Sequence, residues 1–278
     1  MPRHLFAFFI GLAFFSLSCK DSDKKEDPAP QPEPKEVVSS IKVMTYNIHH
    51  ANPPSRANVI DLDAITNVIK AEKPDVVALQ EVDANTQRSG PGNQAQQLAA
   101  RLGMQFYFVK SIDYQGGEYG VAILSKYPLT EKTMYMLPTK AGTGGEARVL
   151  ATAKVTLPDG MVFRFGSTHL DAQSDPANRQ LQIEKITDLA SQESLPFLIA
   201  GDFNATPGSE VINTLDGSFK RTCQACAPTI PAVSPTKAID FIAYKYPAPK
   251  LSVVSHNVVN EQYASDHRPV VAVIGIAK

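Results

Sequence analysis

Apolar residues in this chain recur with two periods. From Ile41 to Tyr46 they alternate with polar ones and are rich in β-branched and aromatic types, which predicts a strand. Over Asp61–Glu72, Leu62, Ile65, Val68 and Ile69 share one face of a helix, and Lys73-Pro74 ends it. Asp75–Gln80 is almost continuously apolar, as in a strand buried on both faces. A second helix is predicted over Asn93–Leu102, with Gly103 as its C-cap. Strand patterns follow at Phe106–Val109, Tyr119–Leu124, Val149–Thr156 and Val162–Thr168, and Pro158-Asp159-Gly160 makes the last two a hairpin. A third helix is predicted over Asp175–Ser191 with Leu181, Ile183, Ile186 and Leu189 inward, followed by a buried strand at Pro196–Ala200. Thr206–Lys237 reads as irregular, and strands return at Ala238–Tyr244, Leu251–Val254 and Pro269–Ile276. Crossovers mixed with hairpins predict an α/β domain with mixed sheets.

The N-terminus follows neither period. Arg3 and His4 precede an apolar run from Leu5 to Leu17 that is short for a membrane span but suits a secretory signal. Cys19 directly after Ser16-Leu17-Ser18 resembles the lipidated cysteine of a bacterial lipoprotein signal, although Leu17 sits one place nearer the Cys than usual. An ordinary cleaved signal is the alternative. Residues 20–36 are charged, with Pro28, Pro30, Pro32 and Pro34 alternating, which favours an extended tether without a core. The expected organisation is therefore a signal at 1–19, a tether at 20–36 and a globular domain at 37–278, exported to the cell envelope and attached to a membrane through lipidated Cys19.

Composition narrows the class. With 43% hydrophobic residues and a net charge of −1 the chain is not disordered, and it has no broad basic excess for gripping nucleic acid by its phosphates. Three Cys do not make a disulfide scaffold. Cys223 and Cys226 form a lone CxxC without a second pair for zinc, leaving a small disulfide or two free thiols.

The candidate chemistry sits where apolar runs end in polar groups: Asn47 (TYN), Glu81 (LQEVD), His169 (THLD), Asp202 and Asn204 (GDFN), Asp240 (IDFI), and Asp266 with His267 (SDHRPV). Each alone has a local alternative, such as a turn, a solvated strand end or a surface histidine. Six such strand ends together suit metal-assisted hydrolysis. Hard divalent ions take carboxylate and amide oxygens, which Glu81 and Asn47 supply. A phosphoryl transition state needs its oxygens neutralised, a role for Asn204 and His169, and water must be oriented or deprotonated, by Asp202 or by His267 on a carboxylate.

In order and spacing, these motifs resemble the endonuclease/exonuclease/phosphatase superfamily over roughly residues 41–276. The resemblance implies a four-layer α/β sandwich of two packed mixed β-sheets flanked by helices. It implies Asn47, Glu81 and Asp266 at a divalent-metal site, magnesium first and manganese as the alternative. It implies Asp202 acting on the attacking water or leaving group, Asn204 and His169 on the scissile phosphate, and Asp240 orienting His267. Arg148 resembles an arginine that bacterial members place near the phosphate, with an ordinary surface arginine as the alternative. AP endonucleases carry Asp where this chain has His49, which counts against that subgroup; His49 and His50 are either substrate contacts or rim residues. Arg179 either faces the cleft or pairs on the helix surface.

The expected activity is a metal-dependent phosphoesterase acting on a small-molecule phosphoester or lipid headgroup, as a monomer. A nuclease is the second reading, disfavoured by charge. A silent envelope-binding module is the third, disfavoured by intact GDFN and SDH. Loops 111–120, 139–147 and 205–237 are expected to form the substrate rim.

Overall fold

The computed structural model describes residues 1–2, 37–245, 248 and 250–277. The expected signal and tether, Cys19 included, fall outside them from residue 3 onward. In chain order the elements are β1 (Val37–Asn47), α1 (Leu62–Glu72), β2 (Val76–Ala84), α2 (Gln94–Leu102), β3 (Gln105–Tyr114), β4 (Gly117–Ser125), β5 (Leu129–Leu137), β6 (Arg148–Thr156), β7 (Val162–His169), α3 (Ala177–Gln192), β8 (Phe197–Asp202), α4 (Glu210–Ser218), β9 (Phe219–Arg221), β10 (Asp240–Lys245), β11 (Leu251–Val258) and β12 (Val270–Ala277). They build two six-stranded sheets, ordered β11-β12-β1-β2-β4-β3 and β5-β6-β7-β8-β10-β9.

Each sheet contains one parallel pair, β1 with β2 and β7 with β8, and the other pairings are antiparallel. The crossovers that parallel strands require run through α1 and α3. Period-two alternation sorts each strand's residues between two faces. Val43, Val76, Ala78 and Ile123 of the first sheet meet Ala151, Phe163, Phe165, Leu198 and Ile242 of the second in a core between the sheets. Met44, Tyr46, Val77 and Leu79 pack on Ile65, Ile69 and Leu98 of α1 and α2. Leu150, Phe197 and Ile199 pack on Ile183, Ile186, Ile212 and Leu215 of α3 and α4. Three apolar layers thus hold a four-layer α/β sandwich, as expected.

The helix ends follow the sequence signals. Asp61 Oδ1 accepts from the Ala64 amide (2.9 Å) to start α1, and Asn93 Oδ1 accepts from Gln96 (3.1 Å) to start α2. Lys73 and Gly103 close them in the left-handed conformation.

Four expectations change. Leu181 of α3 is exposed, while Asn178, Arg179 and Gln182 are buried beside Ile183 and Ile186. The stretch 206–237 contains α4, capped by Ser209, and β9. Leu129–Leu137 forms an unanticipated edge strand, β5. Residues 111–120 form the end of the β3–β4 hairpin, not an irregular loop.

Gly201 shows how tightly β7 and β8 are pressed together at their parallel ends. A Cβ there would lie 2.2 Å from the Thr168 carbonyl oxygen, which cannot move without opening the ladder. Gly201→Ala is therefore expected to cost about 1–3 kcal/mol. Urea unfolding should show a lower midpoint at unchanged m-value; an unchanged midpoint would contradict this packing.

Candidate active site

The C-terminal ends of the parallel strands, where an α/β sheet presents its ligand sites, lie at corresponding levels in the two sheets. In the first sheet, Asn47 is paired in register with Gln80, and Glu81 follows. In the second, His169 pairs with Asp202, and Asp202 with Asp240, so three functional side chains stand side by side on adjacent strands. Register and sheet packing bring residues 155 apart in sequence into contact: Asn47 Nδ2 donates to Asp202 Oδ2 (3.1 Å) and to Glu81 Oε1 (3.0 Å).

Asp202 is the hub. Its Oδ1 accepts from the Asn204 amide (2.8 Å), while Oδ2 faces His169 Nε2 at 3.5 Å and His267 Nε2 at 3.8 Å. His267 Nδ1 meets Asp240 Oδ2 at 2.9 Å, and Thr229 Oγ1 donates to the same oxygen (2.6 Å). Asn204 Nδ2 donates to the Leu170 carbonyl (3.0 Å), which fixes the amide's orientation and turns its NH2 toward His169 Nε2 (3.0 Å). His169 therefore accepts at Nε2 and carries its proton on Nδ1, which, like Arg148 Nε, is enclosed and has no partner among the described residues. Buried donors are normally paired, so these two mark an incompletely satisfied polar site.

Burial pushes the Asp202 carboxyl up to about 7, and the charge of Asp240 adds to the rise; His267 and the amides of Asn204 and Asn47 oppose it. Burial acts against the charged His267 ring, but Asp240, by charge and hydrogen bond, and then Asp202 and Asp266 overcome it and raise its pKa to about 10. His169 is held neutral, well below the ordinary histidine value, by burial and by the positive charges of Arg148 and His267.

Backbone strain marks the same place. Glu81 has φ +58 at an irregularity in the β2–β4 pairing, and Asn204 has φ +47. A non-glycine residue in this region costs of order 1–3 kcal/mol, which concentrates at functional sites. Asn47 turns its NH2 toward Glu81 and its Oδ1 toward the His49 amide (3.1 Å), so the hard oxygen donor that faces the cleft here is the Glu81 carboxylate, a ligand type suited to a divalent ion.

The sequence supports the same conclusion over most of the chain. Residues 44–267 match the model of the Endonuclease/Exonuclease/phosphatase family. The chain belongs to this family. The uncharacterised protein YbhP of Escherichia coli is 26% identical over 250 residues, covering 84% of this chain and 96% of YbhP. Among solved structures, an endonuclease/exonuclease/phosphatase from Beutenbergia cavernae is similar with a TM-score of 0.72 at 24% identity, over 86% of this chain and 72% of that one. The Bacteroides thetaiotaomicron mannosyl-6-phosphatase is similar with a TM-score of 0.68 at 20% identity, over 84% of this chain and 99% of that one. At those identities the structures speak for the fold.

Within this endonuclease/exonuclease/phosphatase domain, the side chains of Asn47, Glu81, His169, Asp202, Asn204, Asp240 and His267 converge. Arg148 is buried, with Nη2 3.2 Å from Glu146, and its charge reaches His169. Asp266 joins neither of the two groups of converging ligand atoms found among the described residues. Ser265 Oγ lies 3.4 Å from its Oδ1, and its charge reaches His267 and Tyr46. Arg179 faces neither cleft nor solvent: it is buried, donating to the carbonyls of Asp171 (3.0 Å) and Gln173. Cys223 and Cys226 are joined as a disulfide.

Supporting residues went unanticipated. Ser265 Oγ donates to the Asn47 carbonyl (2.7 Å) and accepts from the His267 amide (3.2 Å), tying the SDH segment to β1; its signal was its place inside that motif. Thr229, on a stretch without periodicity, gave no signal. Tyr119, whose buried phenol is raised in pKa by burial and by Glu81, lies against Arg148.

Because Asp240 sustains the His267 charge, Asp240→Asn should lower the His267 pKa by more than one unit. NMR titration of the imidazole would show this, and an unmoved titration would remove Asp240 from the role.

Proposed function

We propose that this protein is an exported, metal-dependent phosphoesterase that hydrolyses a phosphomonoester or phosphodiester by attack of water. The observation that carries the reading is Asp202, a buried carboxyl with a pKa near 7, held within hydrogen-bonding or ion-pairing reach of Asn47, Asn204, His169 and His267. A base poised near neutrality removes a proton from water most effectively at working pH. Charged His267, with Asp240 behind it, neutralises oxygen charge on the phosphoryl group, and the positive charge of Arg148 beside His169 adds to it. Asn47 and Glu81 would hold a divalent ion, magnesium first and manganese as the alternative, which supplies Lewis-acid charge neutralisation when bound. Asp266 would adjust this site through its charge.

The mannosyl-6-phosphatase among the similar structures supports a phosphorylated small molecule as substrate class. The near-neutral chain charge supports this over long nucleic acid. The apolar leader ending at Cys19 supports attachment at the cell envelope.

The purified protein should hydrolyse bis-p-nitrophenyl phosphate or p-nitrophenyl phosphate with Mg2+ or Mn2+, and His267→Ala should lower kcat at least about a hundredfold. Absence of metal-dependent turnover on every phosphoester tried would overturn the proposal. The rate should rise with pH as Asp202 loses its proton near 7 and fall as His267 loses its own near 10. A bound cation stabilises the carboxylate and moves the lower limb to lower pH. A profile flat from pH 5 to 10 would contradict these roles.

A further inference from the structure

Directly after Asn47 the chain makes an unusual turn. His49, His50 and Ala51 have φ values of +46, +42 and +58, three consecutive non-glycine residues in the left-handed region. Such residues cost roughly 1–2 kcal/mol each, so the surroundings must hold the turn in place. They do so through hydrogen bonds, among them one from the Asp61 amide to the Ala51 carbonyl (2.7 Å). The Ile48 amide donates to Gln80 O (3.1 Å), and the His49 amide to Asn47 Oδ1 (3.1 Å). The buried Gln94 side chain donates to the His50 carbonyl (2.7 Å) and accepts from the Asp83 amide (3.0 Å).

The turn directs two imidazoles at the Glu81 carboxylate. One potential ligand atom from each of His49, His50 and Glu81 lies within 4.8 Å of the other two. His49 Nδ1 lies 2.8 Å from the Asn52 carbonyl, an acceptor only, so Nδ1 carries the proton and Nε2 the free lone pair. A backbone carbonyl fixing the second nitrogen is how metal-ligating histidines are commonly oriented. His50 Nδ1 is enclosed and has no hydrogen-bond partner among the described residues. Arg88, whose charge reaches His50, is neutralised by Asp83, which takes its Nε and Nη2 at 2.7 and 2.9 Å.

We propose that His49, His50 and Glu81 together bind a divalent first-row transition ion of the zinc type. Two imidazoles and one carboxylate match the three-ligand sets of open zinc sites, and imidazole nitrogen favours such ions over Mg2+. The proposal shares Glu81 with the catalytic reading above but does not need that reading to be correct.

The test uses the full-length protein stripped with EDTA and titrated with Zn2+ against a chromophoric chelator in millimolar Mg2+. Wild type is expected to retain Zn2+, and His49→Ala and His50→Ala to weaken it at least tenfold each. Equal affinity in wild type and both variants would overturn the proposal. X-ray absorption on Zn2+-loaded wild type provides a readout that does not depend on the variants folding. Scattering from two imidazoles supports the site, and none overturns it. Phosphoester turnover with Mg2+ is measured in parallel on wild type. Turnover with histidine-independent Zn2+ binding sinks this inference alone, whereas histidine-dependent binding without turnover on any phosphoester sinks the catalytic reading alone.

Discussion

The carboxylate of Asp202 is the point at which the two sheets meet chemically. It sits at the end of β8 in one sheet, accepts from Asn47 at the end of β1 in the other, and faces imidazoles contributed by both. A buried carboxylate is costly unless its lone pairs are filled by donors or its charge is matched. The surrounding arrangement answers that demand: the register of β7, β8 and β10, the close approach of β7 and β8 at Gly201, and the left-handed Asn204 that returns its amide to Oδ1. The same arrangement places Asp202 between a charged and a neutral histidine, which is the electrostatic asymmetry a water-activating site requires.

The two sheets contribute different chemistry. The first offers the Glu81 carboxylate, a hard oxygen donor held at a strained bulge, and the Asn47 amide that donates to it and to Asp202. The second, through His169, Asp202 and Asp240, offers acid–base and anion-facing groups held by regular pairing. His267 joins them, because it precedes β12 of the first sheet yet takes its partner from β10 of the second. The apolar core between the sheets is therefore also what sets the distance between Glu81 and Asp202.

Most of the site was legible in the sequence because each functional group interrupts an apolar run. A carboxylate or imidazole at the end of a buried strand stands out from the period around it, as His169 and Asp202 do. The helices α1 and α2 were legible from their caps and apolar stripes. What was not legible depended on tertiary demand. On α3, Asn178, Arg179 and Gln182 are inward because the loop around Asp171 needs donors and acceptors, so the polar face points at protein and Leu181 at solvent. Strand β5 is an edge whose Glu131 and Lys132 are exposed, and it carries no buried run to reveal it. The turn at His49–Ala51 adopts left-handed backbone without glycine, which no propensity anticipates.

If Asp202 is buried at a cost in order to act on water, its chemistry can be separated from its part in the fold. Asp202→Asn keeps the side chain's shape and an oxygen to accept from Asn204 while removing the charge. In the folded variant, kcat for metal-dependent phosphoester hydrolysis is expected to fall about a thousandfold or more, far beyond any loss of stability from the acceptor that Asn47 and His267 lose at Oδ2. A variant that keeps wild-type kcat, or that loses activity only in step with a lowered melting temperature, would contradict it.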